Sequence, residues 1–218
     1  MKIDKNEVLR YLGYKNQQIS DDLHQKIDFL IQNAAETLKP KAVWDIFQPE
    51  FSEKVILKNT CLQFEGQDIF NHLKGAKKVA VMAVTLGICA ERAILKYQHT
   101  DMVSTVISDA VFDAFIECVA DETEQQIKEL AQKEGLYINS RYSPGYGDFP
   151  LNTQKMIISA LNCEKKIGLT VTESDILVPR KSVTAVIGFF SEIQNKPFYK
   201  CLNCNMKDKC KMECDKNV

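Results

Sequence analysis

The sequence predicts an α+β fold: an antiparallel or mixed sheet with long helices, followed by a short Cys-rich C-terminal tail. Three observations carry this. Helical and β-branched apolar segments come in groups, without a regular βαβ alternation. One helical pattern runs from about Asp101 to Lys133. Four of the eight cysteines fall between Cys201 and Cys214, beyond the last strand pattern. The expected organisation is one body over residues 1–195 and a four-Cys metal-binding tail over 196–218.

The elements follow in order. Asp4-Lys5-Asn6-Glu7 has the form of a capping box, Asp4 capping and Glu7 reaching back, before a short helix through Leu9 and Leu12. Ser20 precedes a helix whose Leu23, Ile27, Leu30, Ile31, Ala34 and Leu38 recur at helical spacing, and Pro40 stops it. Strands are expected at Ala42–Phe47, Lys54–Leu57 and Cys61–Phe64, with Trp44 in the core, then a short helix at Asp68–Leu73. Lys78–Leu86 reads as a buried strand, and Gly87 turns the chain into a helix over Ile88–Tyr97.

The long helix would measure roughly 50 Å at 1.5 Å per residue, and Gly135 ends it. Its apolar stripe is Val103, Val106, Ile107, Ala110, Val111, Ala114, Phe115 and Cys118, thinning after Glu122. A short strand is expected at Leu136–Asn139 and a helix from the cap Asn152 to about Leu161. Two strands close the body, near Leu169–Val178 and Ser182–Phe190.

Composition limits the function. The chain has 218 residues, 45% hydrophobic and 26% charged, with net charge −1. A nucleic-acid binder would show a basic excess, which is absent. The longest mostly apolar stretch, Val79–Ala90, is about 12 residues, against roughly 20 for a membrane span. Met1–Glu7 has no apolar signal core, so a reducing cytoplasmic setting is expected. There, Cys61, Cys89, Cys118 and Cys163 read as buried thiols. His24, His72 and His99 share no motif and read as surface or capping histidines.

The segment Arg141-Tyr142-Ser143-Pro144-Gly145-Tyr146-Gly147-Asp148-Phe149-Pro150 is an ordered irregular loop. Pro144-Gly145 is a strong turn signal: proline sets φ at the first central position and glycine tolerates positive φ at the second. Arg141 offers a fork to a carboxylate, the glycines permit close approach, and the tyrosines offer π faces to a cation or base. A structural corner with a salt-bridged arginine explains the same composition.

Arg141-x-x-Pro144-Gly145-Tyr146, with Pro150, Leu169-x-x-Thr172-Glu173-Ser174, Pro179 and Ser182-Val183 following, resembles the activation domain of cobalamin-dependent methionine synthase. The match in order and spacing covers about 50 residues. A looser similarity covers Leu86–Glu122. Tyr142 departs from the family pattern, which commonly has proline there.

The resemblance implies S-adenosylmethionine as ligand, with its methyl group presented to cobalamin on a partner. One electron and one methyl group then restore methylcobalamin from cob(II)alamin. It implies that Arg141 binds the methionyl carboxylate, that backbone around Tyr142, Pro144 and Gly145 meets the nucleoside, and that Tyr146 lies near the methyl donor. The homocysteine, folate and cobalamin domains of the full-length enzyme are not in this sequence. A separate methionine synthase, or another corrinoid methyltransferase protein, is therefore the expected partner.

Asp109, Asp113 and Glu117 form an acidic row on the long helix. Asp109 and Asp113 read as a solvated face. Glu117 lies roughly 70° from the centre of the apolar stripe. The resembling family has an acidic residue on a comparable helix, which implies a catalytic role for Glu117 facing the ligand's sulfonium or amino group.

Cys201-x2-Cys204-x5-Cys210-x3-Cys214 has the density of a metal site. Zinc ribbons separate their Cys-x2-Cys pairs by roughly 15–20 residues, more than the spacing here allows. A compact loop around a [4Fe–4S] cluster fits better, with zinc as the alternative. Such a cluster would carry the electron that reactivation needs, taken from an electron donor protein. A reading of a different class is a non-catalytic S-adenosylmethionine-binding module with a structural zinc tail.

Overall fold

The structure, a computed structural model, describes residues 2–15 and 17–194. Cys201, Cys204, Cys210 and Cys214, the expected metal ligands, lie outside the described residues. In chain order the elements are α1 (Lys5–Tyr11), α2 (Asp21–Thr37), β1 (Lys41–Phe47), β2 (Pro49–Phe51), β3 (Val55–Leu57), β4 (Gln63–Phe64), α3 (Gln67–Leu73), β5 (Lys78–Thr85), α4 (Ile88–Gln98), α5 (Met102–Lys133), β6 (Tyr137–Ile138), α6 (Thr153–Ala160), α7 (Cys163–Ile167), β7 (Thr170–Val171), β8 (Leu177–Val178) and β9 (Ser182–Phe190). The α+β class is as expected. Among the described residues no helix is long and apolar enough to cross a membrane.

Two compact units form. The first takes residues 1–43, 84–123 and 164–183; the second takes 44–83, 124–163 and the described residues from 184 on.

In the first unit Asp4 caps α1 by accepting from the Asn6 N–H at 2.8 Å. Glu7 does not reach back. Its carboxylate accepts from the Arg10 guanidinium at 2.6 and 2.9 Å, a pair one helical turn apart. Ser20 caps α2, which buries Ile27, Leu30 and Ala34. Asp101 opens α5 by accepting from the Ser104 N–H at 3.1 Å, and it pairs with Lys26 of α2 at 2.5 Å.

The expected α5 stripe needs correcting at both edges. Val103 and Val106 are exposed, whereas Phe112, Ile116 and Val119 are buried beside Ile107, Val111 and Phe115. The middle of the helix is covered on most sides, so its apolar positions exceed one stripe.

The expected strand at Leu169–Val178 is instead a tight hairpin, β7 pairing antiparallel with β8. Thr172 closes the turn: its N–H donates to the Ile176 carbonyl at 2.9 Å and its hydroxyl accepts from the Ile176 N–H at 3.1 Å. The Thr-Glu-Ser-Asp run is turn chemistry, and it interrupts the strand. The short helix α7 was not anticipated, being too short to show a period.

The second unit holds most of a four-stranded sheet with order β1-β5-β9-β6. β6 pairs antiparallel with β9, Tyr137 opposite Phe190 and Ile138 opposite Phe189. Central β5 and β9 are buried almost throughout. β1 is an edge strand, so Trp44 is half-buried rather than in the core. A second antiparallel sheet has order β2-β3-β4. β2 was not anticipated; it opens on Pro49, which an edge strand accommodates. Asn152 stands at the N-cap of α6 without a side-chain cap bond. Of the four scattered cysteines only Cys163 is buried. Cys118 is half-buried, and Cys61 and Cys89 are exposed.

Candidate functional site

The loop from Arg141 to Pro150 lies in the second unit, just after β6. Its entry extends the edge of the sheet. The Tyr142 N–H donates to the Val186 carbonyl of β9, and the Val186 N–H donates back, each at 2.9 Å. Asn139 secures the same edge: its side-chain oxygen accepts from the Gly188 N–H at 2.7 Å, and its amide donates to the His72 carbonyl at 2.8 Å.

Two turns then fold the loop on itself. The Tyr146 N–H donates to Ser143 at 3.2 Å across Pro144-Gly145, with Gly145 at φ +95°. This is the turn the dipeptide predicts. The Phe149 N–H donates to the Tyr146 carbonyl at 3.0 Å, and the Gly145 N–H to the Phe149 carbonyl at 2.8 Å. Between them Gly147 sits at φ +53°, where a Cβ would meet the Asp68 carboxylate and lie 2.8 Å from the Tyr142 hydroxyl. Phe149 is buried, its ring edge-on to Phe64 with centroids 5.5 Å apart.

Arg141 is 13% exposed and donates from Nη1 to the Glu124 carboxylate of α5 at 2.9 Å. Tyr142 is 2% exposed. Its hydroxyl donates to the Tyr146 carbonyl at 3.2 Å. Burial, followed by the charges of Asp68 and Asp148, pushes that phenol up to about 12, so it stays a donor. Its ring lies 4.9 Å from the His72 imidazole and 5.9 Å, edge-on, from Tyr146. Tyr146 is 49% exposed.

His72 is not the surface or capping histidine expected. Its Nε2 lies 2.9 Å from the Ser140 carbonyl. A carbonyl only accepts, so Nε2 carries the proton. Burial lowers the ring to about 4, only partly offset by that bond, and it is neutral at pH 7.

The structure thus brings Arg141, Tyr142, Pro144, Gly145 and Tyr146 into one ordered loop. Glu117 belongs to the first unit. There, burial and then the charge of Glu117 push the Tyr11 hydroxyl up. Asp109 and Asp113 are not a merely solvated face: Lys181 Nζ lies 2.7 Å from each carboxylate. Glu124, Asp68 and Asp148 carry no motif in the sequence, and His72 reads there only as a surface or capping residue. Nothing in their local spacing marks them, because their partners are distant in the chain.

The chain belongs to the vitamin B12 dependent methionine synthase, activation domain family, whose model matches residues 19–211. Among solved structures it is similar to the MetH reactivation domain bound to AdoHcy. The TM-score is 0.67 at 18% identity, over 91% of this chain and 77% of that one. At that identity the likeness speaks to the fold. No curated protein matched the chain.

Proposed function

We propose that this chain binds S-adenosylmethionine on the Arg141–Pro150 loop and supports reductive remethylation of cob(II)alamin. The cobalamin would be held by another protein, a cobalamin-dependent methionine synthase or a related corrinoid methyltransferase. Family membership supports the reading, as does the AdoHcy named for the structurally similar reactivation domain.

The observation that carries it is the half-buried Arg141 guanidinium, held by Glu124 beside a double turn that leaves Tyr146 exposed. The donor set suits the ligand. A fork donor matches the methionyl carboxylate. Gly145 lets the nucleoside approach the backbone of Pro144-Gly145, and the exposed Tyr146 ring suits a sulfonium. The Tyr142 N–H serves the Val186 carbonyl and its ring is buried. Tyr142 then acts mainly by holding the loop.

In this reading the ligand supplies the methyl group, and one electron restores the reduced cofactor on the partner. Cys201, Cys204, Cys210 and Cys214 would hold a [4Fe–4S] cluster, and such a group would supply one-electron chemistry, with a separate protein as electron donor. Zinc in the tail would leave it without redox chemistry. The chain's own residues bind and orient the donor.

Calorimetry with S-adenosylmethionine tests the reading. Intact protein should bind it, and Arg141→Ala should lose at least tenfold in affinity. No binding by the intact protein would remove the proposal. Glu117→Gln in the same titration tests the role expected for Glu117; an unchanged affinity and turnover would end it.

A further inference from the structure

We propose that helix α3 is a splint that presets the ligand loop, with Asp148 and His72 as positioning residues at its two ends. The proposal deepens the reading of Arg141–Pro150 as the S-adenosylmethionine site and rests on it.

At the start of α3 the cap position is Gly66, which has no side chain to cap with. The cap comes instead from the loop. The Asp148 carboxylate accepts from the Gln67 N–H at 2.5 Å and from the Asp68 N–H at 3.0 Å. These are two of the orphan donors that open every helix. A Cβ on Gly66 would lie 2.6 Å from Asp148 Oδ1. The bare glycine is therefore what lets the loop dock here.

At the other end, His72 Nε2–H donates to the Ser140 carbonyl, one residue before Arg141. The His72 backbone carbonyl accepts from the Asn139 side chain, and the imidazole lies against the Tyr142 ring.

One rigid element thus ties the chain at residues 139–142 and again at 148. Between those ties stand Pro144, Gly145 and Tyr146, with Arg141 at the first tie. A loop anchored at both ends loses less conformational entropy when a ligand orders it. The ties that the helix makes reach residues 139–142 and 148, so its proposed effect on binding runs through the loop.

The test uses the full chain. S-adenosylmethionine affinity is measured by calorimetry at a temperature where every variant is folded. Backbone amide exchange at Gly145 and Phe149 is measured without ligand. Asp148→Ala and His72→Leu should weaken binding roughly tenfold, the scale of a lost charge-assisted or buried hydrogen bond. Exchange at Gly145 and Phe149 should quicken while amides of β9 stay protected.

His72→Gln keeps a donor for Ser140 and should restore affinity to within about threefold of the parent. If His72 only filled space, Leu would serve as well as Gln, and that result overturns its role. Unchanged loop exchange in Asp148→Ala overturns the splint whether or not the ligand binds. Failure of the parent protein to bind S-adenosylmethionine removes the functional reading. The exchange comparison then still decides whether α3 orders the loop.

Discussion

The Glu124 carboxylate of α5 accepts from the Arg141 guanidinium at 2.9 Å, with 26% and 13% of the two side chains exposed. The pair joins the second half of the long helix to the first residue of the loop. Arg141 is therefore held in orientation before any ligand arrives.

Glu124→Ala leaves that guanidinium half-buried without this partner. Breaking a buried pair costs about 3–5 kcal/mol and an exposed one about 0–1. A pair this accessible should lie between, at about 2 kcal/mol by urea unfolding. Replacing both residues with methionine should recover much of the loss. A double variant no more stable than Glu124→Ala would argue against the charge explanation.

His72 makes stability depend on pH. Its folded value of about 4 lies below the ordinary 6.5, so between those limits the unfolded chain binds more protons. Stability should fall as pH drops from 6.5 towards 4, by up to about 3 kcal/mol at about 1.4 kcal/mol per pH unit. It should be fully retained above 6.5. His72→Gln should flatten this part of the profile, measured as unfolding free energy against pH.

Lys181 joins Asp109 and Asp113 in the first unit. Burial pushes the Asp113 carboxyl up, and Lys181 opposes this. Lys181→Ala should cost about 1 kcal/mol at neutral pH, since Asp109 is largely exposed. The loss should shrink below the carboxylate range, where the charge it balanced is gone. Equal losses at pH 7 and at about pH 2.5 would point to packing of the lysine stem instead.

Gly147 and Gly13 both have positive φ, but only Gly147 has neighbours where a Cβ would go. Gly13→Ala should cost about 1 kcal/mol for the backbone alone. Gly147→Ala should cost about 2–3 kcal/mol and also weaken S-adenosylmethionine binding, because Asp68 and the Tyr142 hydroxyl must shift. Thermal melts of both variants with calorimetry separate the two effects.

The tail makes a spectroscopic prediction. Protein purified without oxygen should contain iron and sulfide and absorb in the visible. Cys204→Ser should lose the colour and leave S-adenosylmethionine affinity within about twofold. Colourless protein carrying one zinc ion would make the tail structural.

Most helices were legible in the sequence because local rules set them. Asp4 and Ser20 cap helices as their residue types predict, and Gly87 marks the entry to α4. The buried run Lys78–Thr85 announced a central strand. Edges were less legible. Trp44 looks like a core residue until β1 is seen to be an edge strand, and Leu169–Val178 looks like a strand until Thr172 and Ile176 close on each other.

The candidate site divides the same way. Arg141, the Pro144-Gly145 turn and Tyr146 lie within one short stretch, so residue type and spacing revealed the loop. The sequence by itself thus determined the α+β class, the helices and the loop's turn chemistry, because those depend on neighbours a few positions apart. Only the tertiary structure decided what holds the loop: Glu124 on Arg141, His72 under Ser140 and Tyr142, and Asp148 on the opening amides of α3. These contacts join residues 17 to 81 positions apart, and neither propensity nor periodicity encodes a pairing over that distance.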